Sequence, residues 1–180
     1  MISPKVVLLD RDGVINHDRP GSVLSAADFE LIPGSLSALI ALSRAGWELA
    51  IVTNQACIGR GAVTAAVVDG IHGELSAQVV AGGGQPLQFF VSTSADPADP
   101  DRKPNPGLIQ RAHAALAFDR ATTWLLGDDQ RDVLAARAGG VRPALVLTGK
   151  GHAARAALPD VPVFANLLTF TNALLDGSLV

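Results

Sequence analysis

Asp10 and Asp12 stand one residue apart at the end of an apolar run, Lys5-Val6-Val7-Leu8-Leu9-Asp10-Arg11-Asp12-Gly13. Side chains at i and i+2 of a strand point the same way, so the two carboxylates can converge at its C-terminal end. Carboxylates that close repel each other, and a divalent cation or a shared proton relieves the repulsion. Asp and Gly are also ordinary turn residues, so the motif taken alone reads equally as a strand followed by a polar turn. Three further segments shift the balance. Val52-Thr53-Asn54-Gln55 ends a second apolar run, Arg102-Lys103-Pro104 lies in a loop ahead of a helix-like stretch, and Leu125-Leu126-Gly127-Asp128-Asp129 ends another apolar run. In order they supply a nucleophile, hydroxyl and amide donors, a cation and a distal carboxylate.

Strands read from the apolar, β-branched runs fall near Val6–Asp10, Glu48–Thr53, Leu87–Ser92, Thr123–Gly127 and Ala144–Leu147. Helix-like segments lie between them. Leu36, Leu39, Ile40 and Ser43 follow helical spacing between Pro33-Gly34-Ser35 and Gly46. Val63 to Val80 is rich in alanine and valine. Leu108, Ile109, Ala112 and Leu116 form a stripe with Pro106 early in the helix. Val133 to Ala138 stops at Gly139-Gly140, and Phe164 to Leu175 reads as a final packing helix. The alternation predicts an α/β fold: a Rossmann-like parallel sheet with helices on both faces, essentially capless, in a single domain over 1–180. Right-handed crossovers gather the strand C-termini at one edge, where open α/β sheets bind ligands.

The composition narrows the function classes. The chain has 180 residues and a net charge of −3, with 48% hydrophobic residues. It has no basic tract and no aromatic-basic interleaving, which disfavours a nucleic-acid partner. No charge-free stretch is long enough to span a bilayer. The start lacks a signal peptide's basic, apolar and cleavage regions, and Cys57 is the only cysteine. Both features fit a reducing cytoplasm, a lone cysteine allows no intramolecular disulfide, and a monomer is expected.

With these residues in place the chain resembles the haloacid dehalogenase superfamily of phosphohydrolases. Asp10-Arg11-Asp12-Gly13, Thr53-Asn54, Lys103 and Gly127-Asp128-Asp129 match its four motifs in order. The finer matches, Val14-Ile15-Asn16, Gly59-Arg60-Gly61 and Arg102-Lys103-Pro104-Asn105-Pro106-Gly107, are similar to its heptose-bisphosphate and histidinol-phosphate branch. That branch commonly carries a zinc loop of cysteines and a histidine before the Arg-Lys pair. Val91 to Asp101 holds neither, and Cys57, His17, His72, His113 and His152 show no ligand spacing, so zinc is not expected.

The resemblance implies Mg²⁺-dependent hydrolysis of a small sugar phosphate, with a heptose bisphosphate as the first expectation. Histidinol phosphate or another polyol phosphate is the alternative, and a non-enzymatic phosphoacceptor is the more distant one. It implies Asp10 as nucleophile, Asp12 as acid and then base, and Thr53 and Lys103 as stabilisers of the transferred phosphoryl group. Arg11, Asn54, Gln55, Arg60 and Arg102 are the expected substrate-binding residues. Asp10, the backbone carbonyl of Asp12, and Asp128 are the expected metal ligands. Each has a plainer reading: Thr53 and Asp128 suit strand ends or helix caps, and Lys103, Arg60 and Arg102 suit a solvated surface. Asp129 and Asp132 fall in the first turn of a helix, where a carboxylate is favourable anyway, and Asp132 reads equally as a support behind the metal and phosphate groups.

Overall fold

The computed structural model describes residues 3–179. Six strands, β1 (Val6–Leu9), β2 (Glu48–Asn54), β3 (Gln88–Ser92), β4 (Trp124–Gly127), β5 (Arg142–Val146) and β6 (Val163–Phe164), form one parallel sheet in the order β3-β2-β1-β4-β5-β6. Period-two alternation decides which face each side chain serves. Val7, Leu9, Ile51 and Leu126 pack against α1 (Ser35–Arg44), α3 (Ala65–Ala81) and α7 (Leu167–Leu175). Val6, Leu8, Val52 and Leu125 pack against α4 (Gly107–Leu116) and α5 (Gln130–Gly139) on the other face. Burial on both sides explains why β1 and β4 are uninterrupted apolar runs. Each fully buried Leu or Ile contributes about 1.5–3 kcal/mol relative to exposure.

The chain steps outward from β1 to β2 to β3, then returns to place β4 on the other side of β1. The order therefore reverses between β1 and β4, and the crevice beyond their C-terminal ends is the expected ligand position. Asp10 leaves β1 there, and Asp128 leaves β4 there.

The expected elements are present, with adjustments. The last expected strand starts earlier, at Arg142, and β6 was not foreseen. Val163 and Phe164 pair with Leu145 and Val146, so Phe164 belongs to the sheet and not to the final helix. That helix begins at Leu167 because Asn166 caps it, its side chain accepting the Thr169 N–H at 3.0 Å. A four-residue helix, α2 (Ala56–Gly59), follows β2, and another, α6 (Gly151–Ala154), follows β5. Among the described residues no helix is long and apolar enough to cross a membrane.

Candidate active site

Three strand-end segments and one loop converge on a polar cavity lined by Asp10, Asp12, Thr53, Asn54, Gln55, Lys103, Asp128 and Asp132, with Arg60 and Arg102 at its side. Lys103 is the hub. Its Nζ lies 2.9 Å from Asp10 Oδ1 and 2.6 Å from Asp132 Oδ1, with 3% of the side chain exposed. The Asn54 amide clamps the same residue from β2, donating to the Lys103 carbonyl and accepting its N–H, both at 3.0 Å. Burial opposes the lysine's charge, but Asp10 and Asp132 outweigh it and hold the ammonium protonated well above the usual lysine range.

Asp132 serves the fold and the site together. Its Oδ2 accepts the Asp129 N–H at 3.0 Å in a capping box that starts α5, while Oδ1 anchors Lys103. Asp10 Oδ1 accepts the Arg11 N–H at 2.7 Å as well as Lys103. Asp10, Asp128 and Asp132 each place a carboxylate oxygen within 4.8 Å of the others. Three carboxylates against one ammonium leave two negative charges, the complement of one divalent cation. Both oxygens of Asp132 already accept hydrogen bonds, which leaves Asp10 and Asp128 as the side chains able to hold it. Burial, together with the neighbouring carboxylates, pushes Asp10 up to about 7 and Asp128 up to about 8.

Asp12 faces another way, and its carboxylate is not part of that trio. Arg11 donates to its two oxygens at 2.9 and 3.0 Å, Asn16 to Oδ1 at 2.8 Å and Gln55 to Oδ2 at 2.8 Å. Burial alone would raise its pKa, but Arg11 and these donors hold the carboxyl below its usual range. Gln55 has one possible orientation: Oε1 faces the donor-only Arg11 at 3.1 Å, so Nε2 faces Asp12 and the Thr53 hydroxyl.

Arg11 itself departs from expectation. Its side chain has 0% exposure, and its guanidinium is spent on Asp12, Gln55 and His72, away from the cavity. Its side chain is a partner of Asp12 and does not line the cavity. Burial of a full guanidinium is rare for arginine, and nothing in a single sequence marks it.

Two cationic residues of the cavity were not foreseen. Arg131, in the first turn of α5, pairs with Asp129 at 2.8 Å. Lys150 follows β5, donates its N–H to Asp128 Oδ2 at 2.8 Å, and pairs through Nζ with Asp18 at 2.8 Å. Arg102 donates to the Ser94 carbonyl at 2.8 Å, and burial with the charges of Arg131 and Arg60 depresses its pKa. Arg60, Arg102 and Arg131 thus line the cavity close enough for the first and last to act on the charge of Arg102.

Gly13 and Gly149 bracket Asp128. Both have positive φ, +85° and +57°, and a Cβ on either would fall 2.1 or 2.0 Å from Asp128 Oδ2. Gly149→Ala is therefore expected to displace that carboxylate and abolish Mg²⁺ binding in calorimetry. Gly46→Ala, also at positive φ but with open space around it, should cost only about 1 kcal/mol of stability and leave binding intact. Equal Mg²⁺ affinity in the two variants would contradict this placement of Asp128.

The comparisons with known proteins agree with this geometry. The profile of the HAD-hydrolase-like family matches residues 101–169, which hold Lys103, Asp128 and Asp132. The D-glycero-beta-D-manno-heptose-1,7-bisphosphate 7-phosphatase of Neisseria meningitidis serogroup A is 38% identical over 96% of this chain and 95% of its own length. That of Pseudomonas aeruginosa is 36% identical over 97% of this chain and 100% of its own. The crystal structure of the D,D-heptose 1,7-bisphosphate phosphatase from Bordetella bronchiseptica, complexed with magnesium and phosphate, superposes with a TM-score of 0.91 at 33% identity, covering 96% of this chain and 99% of that one. The chain belongs to the HAD-like hydrolases and, within them, to the family of these heptose bisphosphate phosphatases.

Proposed function

We propose that the chain is a Mg²⁺-dependent phosphomonoesterase that removes the 7-phosphate of D-glycero-β-D-manno-heptose 1,7-bisphosphate through an aspartyl phosphate on Asp10. The observation that carries the chemistry is Asp10 at the switch point, with buried Lys103 2.9 Å from its Oδ1 and Asp128 beside it. The relatives' shared activity supports the substrate.

Asp10 attacks phosphorus as the bond to the sugar oxygen breaks. Asp12 delivers a proton to the departing oxygen; the arriving phosphate dianion favours its protonated form. Asp12 then takes a proton from the water that attacks the phosphoryl group, and Asp10 is released. The Thr53 hydroxyl and the Asn54 N–H hold phosphate oxygens, and Lys103 offsets charge gathering on the transferred group. A bound Mg²⁺, held by Asp10, Asp128 and the backbone carbonyl of Asp12, supplies further charge neutralisation there.

We also propose that the protein acts as a cytoplasmic monomer without zinc, with one capless domain over 1–180 carrying the whole site. A single cysteine and a site built on one sheet edge support this.

A phosphate-release screen across heptose bisphosphate, histidinol phosphate and polyol monophosphates tests the substrate. Preference for either of the latter would contradict the heptose assignment. Within that screen, Arg102→Ala should lower kcat/KM about tenfold more for the bisphosphate than for a monophosphate, as loss of a charged hydrogen bond to the remote phosphate implies. An equal loss on every substrate would mean that Arg102 does not read the remote end.

The metal also leaves a pH signature. Asp10 and Asp128 rise from 3.8 in the unfolded chain to about 7 and about 8 in the metal-free fold. Raised carboxyl groups favour the fold while protonated, so that stabilisation is full below about pH 4 and is lost as pH rises through about 7–8. Mg²⁺ replaces those protons, so the Tm increment on adding Mg²⁺ should grow between about pH 5 and about pH 8. An increment independent of pH would contradict these ligands.

A further inference from the structure

We infer that His72 is a positioning residue: as a neutral hydrogen-bond acceptor it fixes Arg11, and through Arg11 it aims Asp12 at the leaving oxygen. The inference rests on Asp12 acting as the proton donor.

His72 lies on α3 with 3% exposure, and its ring stacks on Phe89 with centroids 4.2 Å apart and planes 7° from parallel. Its Nε2 is 3.2 Å from Arg11 NH1. A guanidinium has donors only, so Nε2 accepts and the ring proton resides on Nδ1. Burial and the adjacent Arg11 hold the imidazole down to about 4, which keeps it neutral at pH 7. An imidazolium would turn the contact into repulsion between two cations.

The need for such an acceptor follows from Arg11. Its side chain is wholly buried, and among the described residues NH1 has no other hydrogen-bond acceptor. The far nitrogen, NH2, holds both oxygens of Asp12 and the Gln55 carbonyl oxygen. The Phe29 ring, 5.8 Å from the guanidinium carbon, lines another side. A planar group pinned at both ends cannot rotate. Without His72, the NH1 donor is unsatisfied in a dry site, and the guanidinium turns to find another acceptor. Asp12 and Gln55 are tied to the opposite end and turn with it. The neighbouring inward positions of α3 are Val68, Ile71 and Leu75. Packing alone would be served by another apolar side chain, and a histidine there costs desolvation.

Proton donation by Asp12 matters for an alkoxide leaving group and little for p-nitrophenolate, which departs without a proton. kcat/KM reports the steps through cleavage of the ester bond. His72→Phe keeps the ring stack and removes the acceptor. It should lower kcat/KM on the sugar phosphate about tenfold, part of the roughly 10²–10⁴ that acid–base catalysis supplies, and change p-nitrophenyl phosphate by less than about twofold. His72→Gln restores an acceptor and should recover most of the loss. An equal loss on both substrates, no loss, or no recovery with glutamine overturns the inference. Asp12→Asn should show the same selectivity more strongly. If it does not, the acid assignment falls and takes the inference with it. If Asp12→Asn is selective and His72→Phe is not, only the inference falls. A measurement on the unaltered protein stands even where His72→Phe fails to fold. Nitrogen-15 NMR at pH 7 should show the His72 ring protonated on Nδ1 alone, and a ring protonated on Nε2 contradicts the assignment.

Discussion

Asp10→Asn is expected to lower phosphate release by at least about 10⁴, the scale seen when a covalent nucleophile is removed, in a protein that still folds. The amide oxygen is a poor nucleophile, so the covalent step is lost outright. The fold should tolerate the change. An asparagine Oδ1 can still accept from Arg11 N–H and Lys103 Nζ, which now meet Asp10 Oδ1 at 2.7 and 2.9 Å. The substitution also removes one negative charge from a buried trio whose members lie within 4.8 Å of one another. Thermal stability without metal at about pH 8 should therefore equal or exceed that of the unaltered protein. Near-normal turnover in freshly purified, undeamidated protein would sink the nucleophile assignment.

Lys103→Met should damage both activity and stability, and a second substitution should separate the two. The lysine is 2% exposed and neutralises Asp10 and Asp132 at once. Removing one partner of a buried ion pair leaves an uncompensated charge and costs about 3–5 kcal/mol. kcat should fall for every substrate, because the lost charge acts on the transferred phosphoryl group and not on its sugar. Adding Asp132→Asn removes one orphaned charge and keeps an acceptor for the Asp129 N–H. The double variant should regain much of the lost stability but none of the lost turnover. Recovery of both together would mean that Lys103 matters only as a structural counter-ion.

The parts of this account that were legible in the sequence are those fixed by periodicity and by strand ends. Val6 to Leu9 and Trp124 to Gly127 are buried on both faces, so their apolar runs announce central parallel strands, and Asp10 and Asp128 follow directly. The β6 strand escaped because two residues, Val163 and Phe164, carry no period. Their membership depends on pairing with Leu145 and Val146, which is a tertiary event. Lys150 was findable in principle. It stands just beyond the end of β5, and the rule that strand ends share one edge applies to that strand as well. Arg131 carried no comparable signal, since a first-turn arginine reads as ordinary surface charge. The direction of Arg11 was not legible, because a motif places a residue near a site without saying which way its side chain points. Only the structure shows its guanidinium turned inward onto Asp12, Gln55 and His72. Asp132 stood between two readings, helix start and site support, and its two carboxylate oxygens serve one each.

The central claim is that phosphate leaves by way of Asp10 and not by direct attack of water. Stereochemistry at phosphorus tests it without altering the protein. Two successive in-line displacements, first by Asp10 and then by water, invert the phosphorus twice. A phosphorothioate substrate whose transferred group is made chiral with sulfur and two oxygen isotopes should therefore yield, in water of the third oxygen isotope, inorganic thiophosphate with overall retention of configuration. Overall inversion would mean a single displacement by water, and would contradict the covalent role of Asp10.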